Sequence, residues 1–446
     1  MSHYQETIAA ISTALAQGAI AIVRLSGDRA IEIADSIFSG SLKEKESHTI
    51  SYGWIMDAGE KVDEVLVSLF RAPKTYTRED LVEINCHGGP YAARAILKLL
   101  LSKGAKLADP GEFTQRAFIN GRIDLAQAEA VQAMTEASSK QTARMAAEGI
   151  SGSVACLLNP LIDDLLDLIA VIEVNIDYPE YDDVEQMTAT KLLPPGEKLL
   201  ERLDEIILRS RRGKQIVDGI SVAIIGKPNV GKSSLLNALL DEDKAIVADL
   251  PGTTRDLVEG QIHIGSTLLA LTDTAGIRHS SDAIEQIGVQ KSLEKIDDAQ
   301  LVLLVLDGSK PLDDQDQELL ERTKDKKRII VINKCDLTPA FTAPEGAITI
   351  SAANGQIEEL VDAVESMVLQ DDLSTPPLLS NERQIGLMMT ARTDMLRATE
   401  AMKEGTEPDL IEIDLQDAYE NLKEILGEVS RDDLLDTLFS QFCLGK

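Results

Sequence analysis

Gly226-Lys-Pro-Asn-Val-Gly-Lys-Ser233 decides how this chain is read, because a strand leads into it and a helix leads out of it. Ile220-Ser-Val-Ala-Ile-Ile225 is a short apolar run with the character of a buried strand. Ser234-Leu-Leu-Asn-Ala-Leu-Leu240 has helical apolar spacing. A strand, a glycine-rich loop and a helix in that order make a phosphate-binding loop. Gly226 and Gly231 let the backbone curl until successive N–H groups point at phosphate oxygens, and the positive end of the helix dipole adds to the attraction. Lys232 then reaches the β- and γ-phosphates, and the Ser233 hydroxyl holds Mg²⁺. A chance glycine-rich turn would not come with both flanking elements.

Four more elements follow in suitable order. Asp273-Thr274-Ala275-Gly276 comes after Leu268-Leu-Ala-Leu271. An Asp at a strand end holds Mg²⁺ through water, and the Gly276 N–H contacts the γ-phosphate. Upstream, Gly252-Thr253-Thr254-Arg-Asp256 supplies hydroxyls, with Thr254 in position to reach Mg²⁺. Asn333-Lys334-Cys335-Asp336 follows the strand Arg328-Ile-Ile-Val-Ile332. The Asp336 carboxylate can accept from both N1–H and the 2-amino group of guanine, a pair of donors adenine does not offer. Ser351-Ala352, after Ala347-Ile-Thr-Ile350, fits the last base-contacting loop. Five elements in order predict a guanine-nucleotide site. Ile277 follows Gly276 and cannot orient an attacking water, so another group must.

At 446 residues the chain exceeds one ordinary core, and two to four domains are expected. Its 75 acidic residues against 44 basic ones give a formal charge of -31, which argues against broad binding to nucleic acid or anionic membrane. The basic clusters Arg209-Ser-Arg-Arg-Gly-Lys214 and Lys324-Asp-Lys-Lys-Arg328 read as solvated helix ends. Cys86, Cys156, Cys335 and Cys443 are scattered, with no CxxC and no histidine at metal-ligand spacing. That pattern predicts a reducing compartment and no structural zinc. The N-terminus lacks a secretory signature, and no apolar run approaches the ~18 residues of a spanning helix. A soluble, cytoplasmic protein with no membrane contact is expected.

Residues 1–119 read as α+β. Ile20–Leu25, Val62–Phe70 and Asp80–Asn85 are candidate strands, and Ile31–Phe38 and Tyr91–Leu101 candidate helices. His87-Gly88-Gly89-Pro90 is a turn that brings backbone close to a neighbouring segment. Residues 120–218 turn Ala/Leu-rich and helical, over Leu125–Met134 and Leu157–Ile176. Pro194-Pro195-Gly196 is expected to break that series before a helix from Glu197 to about Arg211. Residues 219–370 alternate strands and helices as a doubly wound sheet does. After a linker at Ser374-Thr-Pro-Pro377, residues 371–446 return to helix over Glu382–Glu404 and Leu415–Leu426. The fold class expected is multidomain α/β plus all-α, with the P-loop domain inserted into a helical domain.

The nucleotide motifs resemble the translation-factor-related class of P-loop GTPases, and a narrower resemblance covers almost the whole chain. Gly226–Ser233, Gly252–Asp256, Pro110-Gly-Glu-Phe-Thr-Gln-Arg-Ala-Phe118 with Asp124-Leu-Ala-Gln-Ala-Glu129, and the terminal Phe442-Cys-Leu-Gly-Lys446 resemble the MnmE (TrmE) family of tRNA-modification GTPases. One departure is Ala14-Leu-Ala-Gln-Gly-Ala19, which keeps one glycine where the family has two.

The resemblance implies GTP hydrolysis that depends on K⁺, Mg²⁺ and pairing of the G domains. K⁺ is then ligated by Asn229, with carbonyls of Ala248, Leu250 and Thr253, and supplies the charge an arginine finger gives elsewhere. The implied nucleotide contacts run through Asn229, Val230, Gly231, Lys232, Ser233 and Ser234, and through Ala248, Asp249, Leu250, Pro251, Gly252, Thr253 and Thr254. They continue through Asp273, Thr274, Ala275, Gly276, Asn333, Lys334, Asp336, Ser351 and Ala352. Glu285 matches the water-orienting carboxylate and joins Lys232 and Thr254 as catalytic; its chemistry alone reads as an exposed Glu at a helix start.

The same resemblance makes the N-terminal domain a tetrahydrofolate-binding and dimerisation domain, with Arg24, Glu83, Arg122 and Lys446 at the folate. Two cations and a carboxylate suit a glutamate tail and pterin amino donors, though alone they are ordinary surface charges. Cys443 becomes a candidate functional thiol, against the plain reading of a packed cysteine. The implied reaction installs a 5-carboxymethylaminomethyl or aminomethyl group on the wobble uridine of certain tRNAs. The one-carbon donor is 5,10-methylene-tetrahydrofolate (5-formyl-tetrahydrofolate being its analogue), and the homodimer forms a heterotetramer with an FAD-dependent MnmG (GidA) partner. Two rivals share the motifs: a ribosome-assembly GTPase, which needs a basic RNA-binding module after residue 370, and a folate-dependent transferase with a vestigial G domain.

Overall fold

The structure, a computed structural model, describes residues 6–137, 140–177, 191–218, 220–241, 260–264, 267–272, 299–369, 379, 381–429, 435, 438–440, 442 and 445. The chain divides into two compact units. The first comprises residues 1–135, 149–170 and 412–446, and the second 136–148 and 171–411.

The first unit carries β1 (Ile8–Ile11), β2 (Ile20–Ser26), α1 (Ala30–Asp35), β3 (Thr49–Asp57), β4 (Glu60–Phe70), β5 (Leu81–His87), α2 (Pro90–Ser102), β6 (Lys106–Leu107), α3 (Glu112–Ile119) and α4 (Leu125–Glu136). Its sheet runs β3-β4-β5-β2-β1-β6, antiparallel except at β1–β6. The two-residue period of a strand divides the side chains between two faces. Ala21, Val23 and Leu25 of β2 and Val82, Ile84 and Cys86 of β5 share a core with Ile31 and Ile33 of α1 and Ile96 and Leu100 of α2. The alternate positions face the other way, where Arg24 and Glu83 stand directly opposite each other in the β2–β5 register.

The expected strands and helices of this unit are present, with ends shifted by a few residues. Strands β1, β3 and β6 were not anticipated. Ile8-Ala-Ala-Ile11 is buried on both faces and has no alternation to read. Within β3, Gly53 is required because a Cβ there would sit 2.6 Å from the Phe38 ring. Gly88 approaches a neighbouring segment as expected: a Cβ would lie 2.3 Å from the Gly18 carbonyl oxygen.

Two of the family-like stretches turn out to be structural fasteners. Asp124 and Gln127 form a capping box at the start of α4, with Gln127 N–H donating to Asp124 Oδ1 (2.7 Å) and Asp124 N–H to Gln127 Oε1 (2.9 Å). Arg116 of α3 is fully buried, donating to Glu112 Oε1 (2.8 Å), Glu79 Oε2 (3.1 Å) and the Glu6 carbonyl (2.9 Å). Phe439 and Phe442 from the end of the chain pack with Leu125 and Ala128 of α4. Gly111 (φ 71°) lets them in, since a Cβ there would meet the Phe439 carbonyl oxygen at 2.5 Å.

After α5 (Lys140–Ile150) and α6 (Ser153–Asp177), the second unit holds α7 (Leu193–Asp218), β7 (Ile220–Ile225), α8 (Lys232–Asp241), β8 (Gly260–Ile264), β9 (Thr267–Thr272) and β10 (Leu301–Asp307). It continues through α9 (Asp314–Arg322), β11 (Arg328–Asn333), β12 (Ile348–Thr349), α10 (Glu358–Leu369) and α11 (Glu382–Glu404), and α12 (Pro408–Leu426) follows. The sheet order is β12-β11-β10-β7-β9-β8, parallel throughout except for β8 against β9. Strand β10 is buried at every position, as a strand covered on both faces must be. One core contains α8 and α10 residues such as Leu235, Leu239, Leu360 and Val364; a second packs Leu319 of α9 against Ala223, Ile225 and Val302. This is the doubly wound arrangement expected.

Two helix boundaries differ from the reading of the sequence. Pro194 and Pro195 do not break a helix but sit in the first turn of α7, where backbone N–H groups have no intrahelical partner to lose. Helix α12 begins at Pro408 rather than Leu415 for the same reason. The Ser374–Pro377 linker lies outside the described residues.

Candidate functional site

Strand β7 has β10 on one side and β9 on the other, so the loop after Ile225 leaves the sheet at the switch point where ligands bind in open α/β folds. Space around the loop fixes its glycines. A Cβ on Gly226 would stand 2.3 Å from the Val305 carbonyl oxygen, and one on Gly231 (φ 99°) 2.1 Å from Asn333 Nδ2. Val230 anchors the loop in the core, and Asn229 takes a left-handed conformation (φ 64°) tolerated best by glycine and asparagine. Lys232 Nζ donates to the carbonyls of Gly226 (2.6 Å) and Lys227 (2.8 Å), so it lies over the loop's concave side. Ser233 and Ser234 are exposed in the first turn of α8.

The segments Asn333–Asp336 and Ser351–Ala352 meet this loop through one buried side chain. Asn333 Nδ2 donates to the Val230 carbonyl (2.9 Å), while its Oδ1 accepts from the N–H groups of Lys334 (2.8 Å) and Ala352 (3.0 Å). Lys334 Nζ donates to the Asn229 carbonyl (2.9 Å) and to Asp307 Oδ2 (2.7 Å). Burial pushes the Asp307 carboxyl upward, but Lys334 and Ser309 outweigh it and hold the group below the usual carboxylate range. Ser351 donates to Asp336 Oδ1 (2.7 Å), which orients that carboxylate. Asn229, Val230, Gly231, Lys232, Ser233, Asn333, Lys334, Asp336, Ser351 and Ala352 are thus assembled along one edge of the sheet.

Nothing in the sequence around Lys227 marks it as a functional residue. Its Nζ donates to Asp313 Oδ2 and Asp316 Oδ2, both at 2.6 Å, and Asp313 itself caps α9. The phosphate loop is therefore tied at both ends, by Asn333 on one side and by the start of α9 on the other. No local signal gives this away, because the partners lie 86 and 89 residues apart. Ala248, Asp249, Leu250, Pro251, Gly252, Thr253, Thr254, Asp273, Thr274, Ala275, Gly276 and Glu285 lie outside the described residues, as do Cys443 and Lys446.

The first unit has its own cavity of about 510 Å³, whose lining includes His48, Phe70, Tyr76, Arg78, Glu83 and Arg122. Glu83 is paired with Arg24 at 2.8 Å, and the Arg24 guanidinium stands 5.6 Å from the centre of the Phe113 ring. Arg122 stacks over Tyr76 at 4.8 Å. The end of the chain is close, since Arg24 Nη1 (3.3 Å) and Ser12 Oγ (2.9 Å) both donate to the Gly445 carbonyl. Arg24, Glu83 and Arg122, which only the family resemblance groups, lie close together, while His48, Phe70, Tyr76 and Arg78 come from segments whose sequence gives no warning.

A phosphate loop at the switch point of a doubly wound sheet, tied to an Asn-Lys-Cys-Asp base loop, defines a P-loop GTPase, an enzyme that hydrolyses GTP. The comparisons narrow this. Residues 7–122 match the family described as "GTP-binding protein TrmE N-terminus", and residues 125–443 match the "MnmE helical domain". Proteins named tRNA modification GTPase MnmE from Lactobacillus delbrueckii subsp. bulgaricus and Bacillus cereus are each 45% identical, covering 99% of this chain and 98% and 99% of their own lengths. The one from Lactococcus lactis subsp. lactis is 47% identical over 99% of this chain and 98% of its own. Among solved structures, the G domain of the T. maritima FeoB iron transporter is 30% identical over 34% of this chain and 97% of that one, with a TM-score of 0.23. The chain belongs to the MnmE (TrmE) family of tRNA modification GTPases. Among the described residues no helix is long and apolar enough to cross a membrane.

Proposed function

We propose that this chain is a K⁺- and Mg²⁺-dependent GTPase that acts in the cytoplasm as a homodimer. With an FAD-dependent partner of the MnmG type it installs the 5-carboxymethylaminomethyl or aminomethyl group on the wobble uridine of certain tRNAs, with the one-carbon unit from 5,10-methylene-tetrahydrofolate. Residues 1–119 form the folate-binding and dimerisation domain, and 219–370 the G domain set between helical segments 120–218 and 371–446.

The observation that carries the ion dependence is Asn229. Its carbonyl is held by Lys334, its backbone is fixed in the left-handed region, and its side-chain amide has no partner among the described residues. The left-handed backbone and the held carbonyl fix where the Asn229 side chain leaves the loop, and its amide oxygen is left unengaged among the described residues to serve as a cation ligand. The Ser233 hydroxyl likewise has no partner among the described residues and would take Mg²⁺. A K⁺ beside the phosphates supplies positive charge where negative charge builds up during cleavage. Lys232 adds a second positive charge, and Thr254 would offer a hydroxyl to Mg²⁺. Glu285 orients the attacking water in the place Ile277 cannot fill. In the first unit, a cavity of about 510 Å³ holding Glu83 and Arg122, beside Arg24, suits a reduced folate. Lys446, next to the docked Gly445, completes that set, and Cys443 is a thiol available to the chemistry.

Turnover of GTP in KCl against NaCl tests the reading. The wild type should be faster in K⁺, and Asn229→Ala should bind GTP yet lose the preference. An ion preference that survives the substitution removes Asn229 from the mechanism. Nucleoside analysis of tRNA from a strain lacking the protein tests the modification itself; unchanged wobble uridines would overturn it.

A further inference from the structure

Among the described residues, three cations around the first unit's cavity have no carboxylate partner. Lys74, Arg78 and Arg122 line it. Lys74 has no partner among the described residues, Arg78 donates to the Asn120 carbonyl (2.9 Å), and Arg122 is engaged by the Tyr76 ring. The one carboxylate in the lining, Glu83, is occupied by Arg24. This is the reverse of the chain's overall balance, in which acidic residues outnumber basic ones 75 to 44. Two lining residues, His48 (φ 64°) and Arg78 (φ 60°), hold left-handed backbones that favour glycine, and such strain gathers at ligand sites. Glu83 is half-buried, whereas Lys74, Arg78 and Arg122 are exposed, so the cavity has a carboxylate within and cations at its rim.

We propose that the cavity takes a folate bearing an oligo-γ-glutamyl tail, with Lys74 and Arg78 holding carboxylates beyond the first glutamate. The proposal rests on the folate reading of the same site. Glu83 can accept from the amino and ring N–H donors of a 2-amino-4-oxopteridine. A monoglutamyl tail brings two carboxylates, and each further γ-linked residue adds one. Three rim cations therefore exceed what the short tail can engage. The net charge of -31 repels a polyanion at long range, so a preference for the longer tail has to arise from these local cations.

The test is calorimetric titration of the full chain with 5-formyl-tetrahydrofolate carrying one or five γ-glutamyl residues. The pentaglutamate should bind about tenfold more tightly, since each rim contact is modest and two of them act together. That advantage should shrink as KCl is raised. Lys74→Gln with Arg78→Gln should bring the ratio toward one. Lys74→Gln alone should lower it too, and among the described residues that side chain has no other partner to lose. Equal wild-type affinity for both ligands overturns the proposal and leaves the folate reading standing. Failure to bind either overturns both. A preference that persists in the double variant refutes the assignment to Lys74 and Arg78.

Discussion

Replacing Asn333 by alanine should weaken nucleotide binding chiefly by releasing the loops that this side chain ties together. The side chain is 2% exposed and makes three hydrogen bonds, all to backbone: the Val230 carbonyl, the Lys334 N–H and the Ala352 N–H. Two of these contacts are buried, so Asn333→Ala strands the Val230 carbonyl and the Ala352 N–H away from water, at roughly 1–3 kcal/mol each. Water can reach Lys334 N–H, which loses little. The loops can escape the penalty only by moving apart until water enters. The bound nucleotide must draw them back, so most of the cost appears in affinity. A loss of about 2–4 kcal/mol corresponds to roughly 30- to 800-fold weaker GDP binding. Titration with a fluorescent GDP analogue reads this directly, and circular dichroism checks that the sheet remains. Asn333→Asp is the informative companion, because it keeps the two accepted bonds and replaces the donor to Val230 by a repelling oxygen. It should fall between wild type and Asn333→Ala. Affinity of Asn333→Ala within threefold of wild type would show that the side chain does not hold the loops, and the tie described here would be wrong.

Glu285→Ala should bind GTP as the wild type does but turn it over at least about a hundredfold more slowly, the lower end of what a water-orienting carboxylate supplies; single-turnover hydrolysis at wild-type speed would strike Glu285 from the mechanism. Lys227→Met removes the cation between exposed Asp313 and buried Asp316, and should cost about 1–2 kcal/mol after allowance for solvent at the exposed end. Hydrogen exchange should then speed up at the start of α9 and in the phosphate loop, and Asp316→Asn in the same chain should restore part of the protection; exchange unchanged at both places would refute the clamp. Cys86 donates to the Ala21 carbonyl, and burial with the nearby Asp63 charge raises its pKa to about 11. At pH 8 only about one thiol in a thousand is then ionised, so iodoacetamide should label the exposed Cys156 and Cys335 and leave Cys86 unmodified until the unit is unfolded.

What could be read from the sequence was what is local. Strand β7, the glycine loop and α8 follow one another within about twenty residues, and each carries its own pattern of apolar spacing. The same holds for β2, β5 and α2. Strand β1 escaped because four consecutive buried residues carry no alternation, and the start of α7 because proline signals an end or a beginning with the same letters. Long-range pairings escaped altogether. Lys227 meets Asp313, and Tyr76 meets Arg122, through folds of chain that no window of sequence spans. Arg24 and Glu83 were named only through resemblance. The register of β2 against β5 supplies the physical reason: strand alternation and direct cross-strand opposition place a cation and a carboxylate on the same face.

Backbone strain adds an argument that side-chain chemistry alone does not. Five non-glycine residues in the described chain hold positive φ: His48, Ala58, Arg78, Asn229 and Lys334. Ala58 sits with Gly59 in the hairpin turn between β3 and β4, where the turn geometry demands such a conformation. The other four lie at the two sites built above, Asn229 and Lys334 in the nucleotide site and His48 and Arg78 at the cavity of the first unit. Each costs on the order of 1 kcal/mol, and such conformations persist where surrounding contacts over-determine them. For Asn229 and Lys334 those contacts are visible: Lys334 holds the Asn229 carbonyl, and Asp307 holds Lys334. Arg78 is held by the Asn120 carbonyl, while His48 packs edge-on against Phe70 and has Ser47 on its ring nitrogen. Glycine would relieve this strain at His48, Arg78 and Lys334, and asparagine at position 229 carries the least of it. Two strained residues at each site instead put side chains there, an unengaged amide at the phosphate loop and an exposed cation at the cavity rim, and those are the groups on which the K⁺ and oligoglutamate proposals rest.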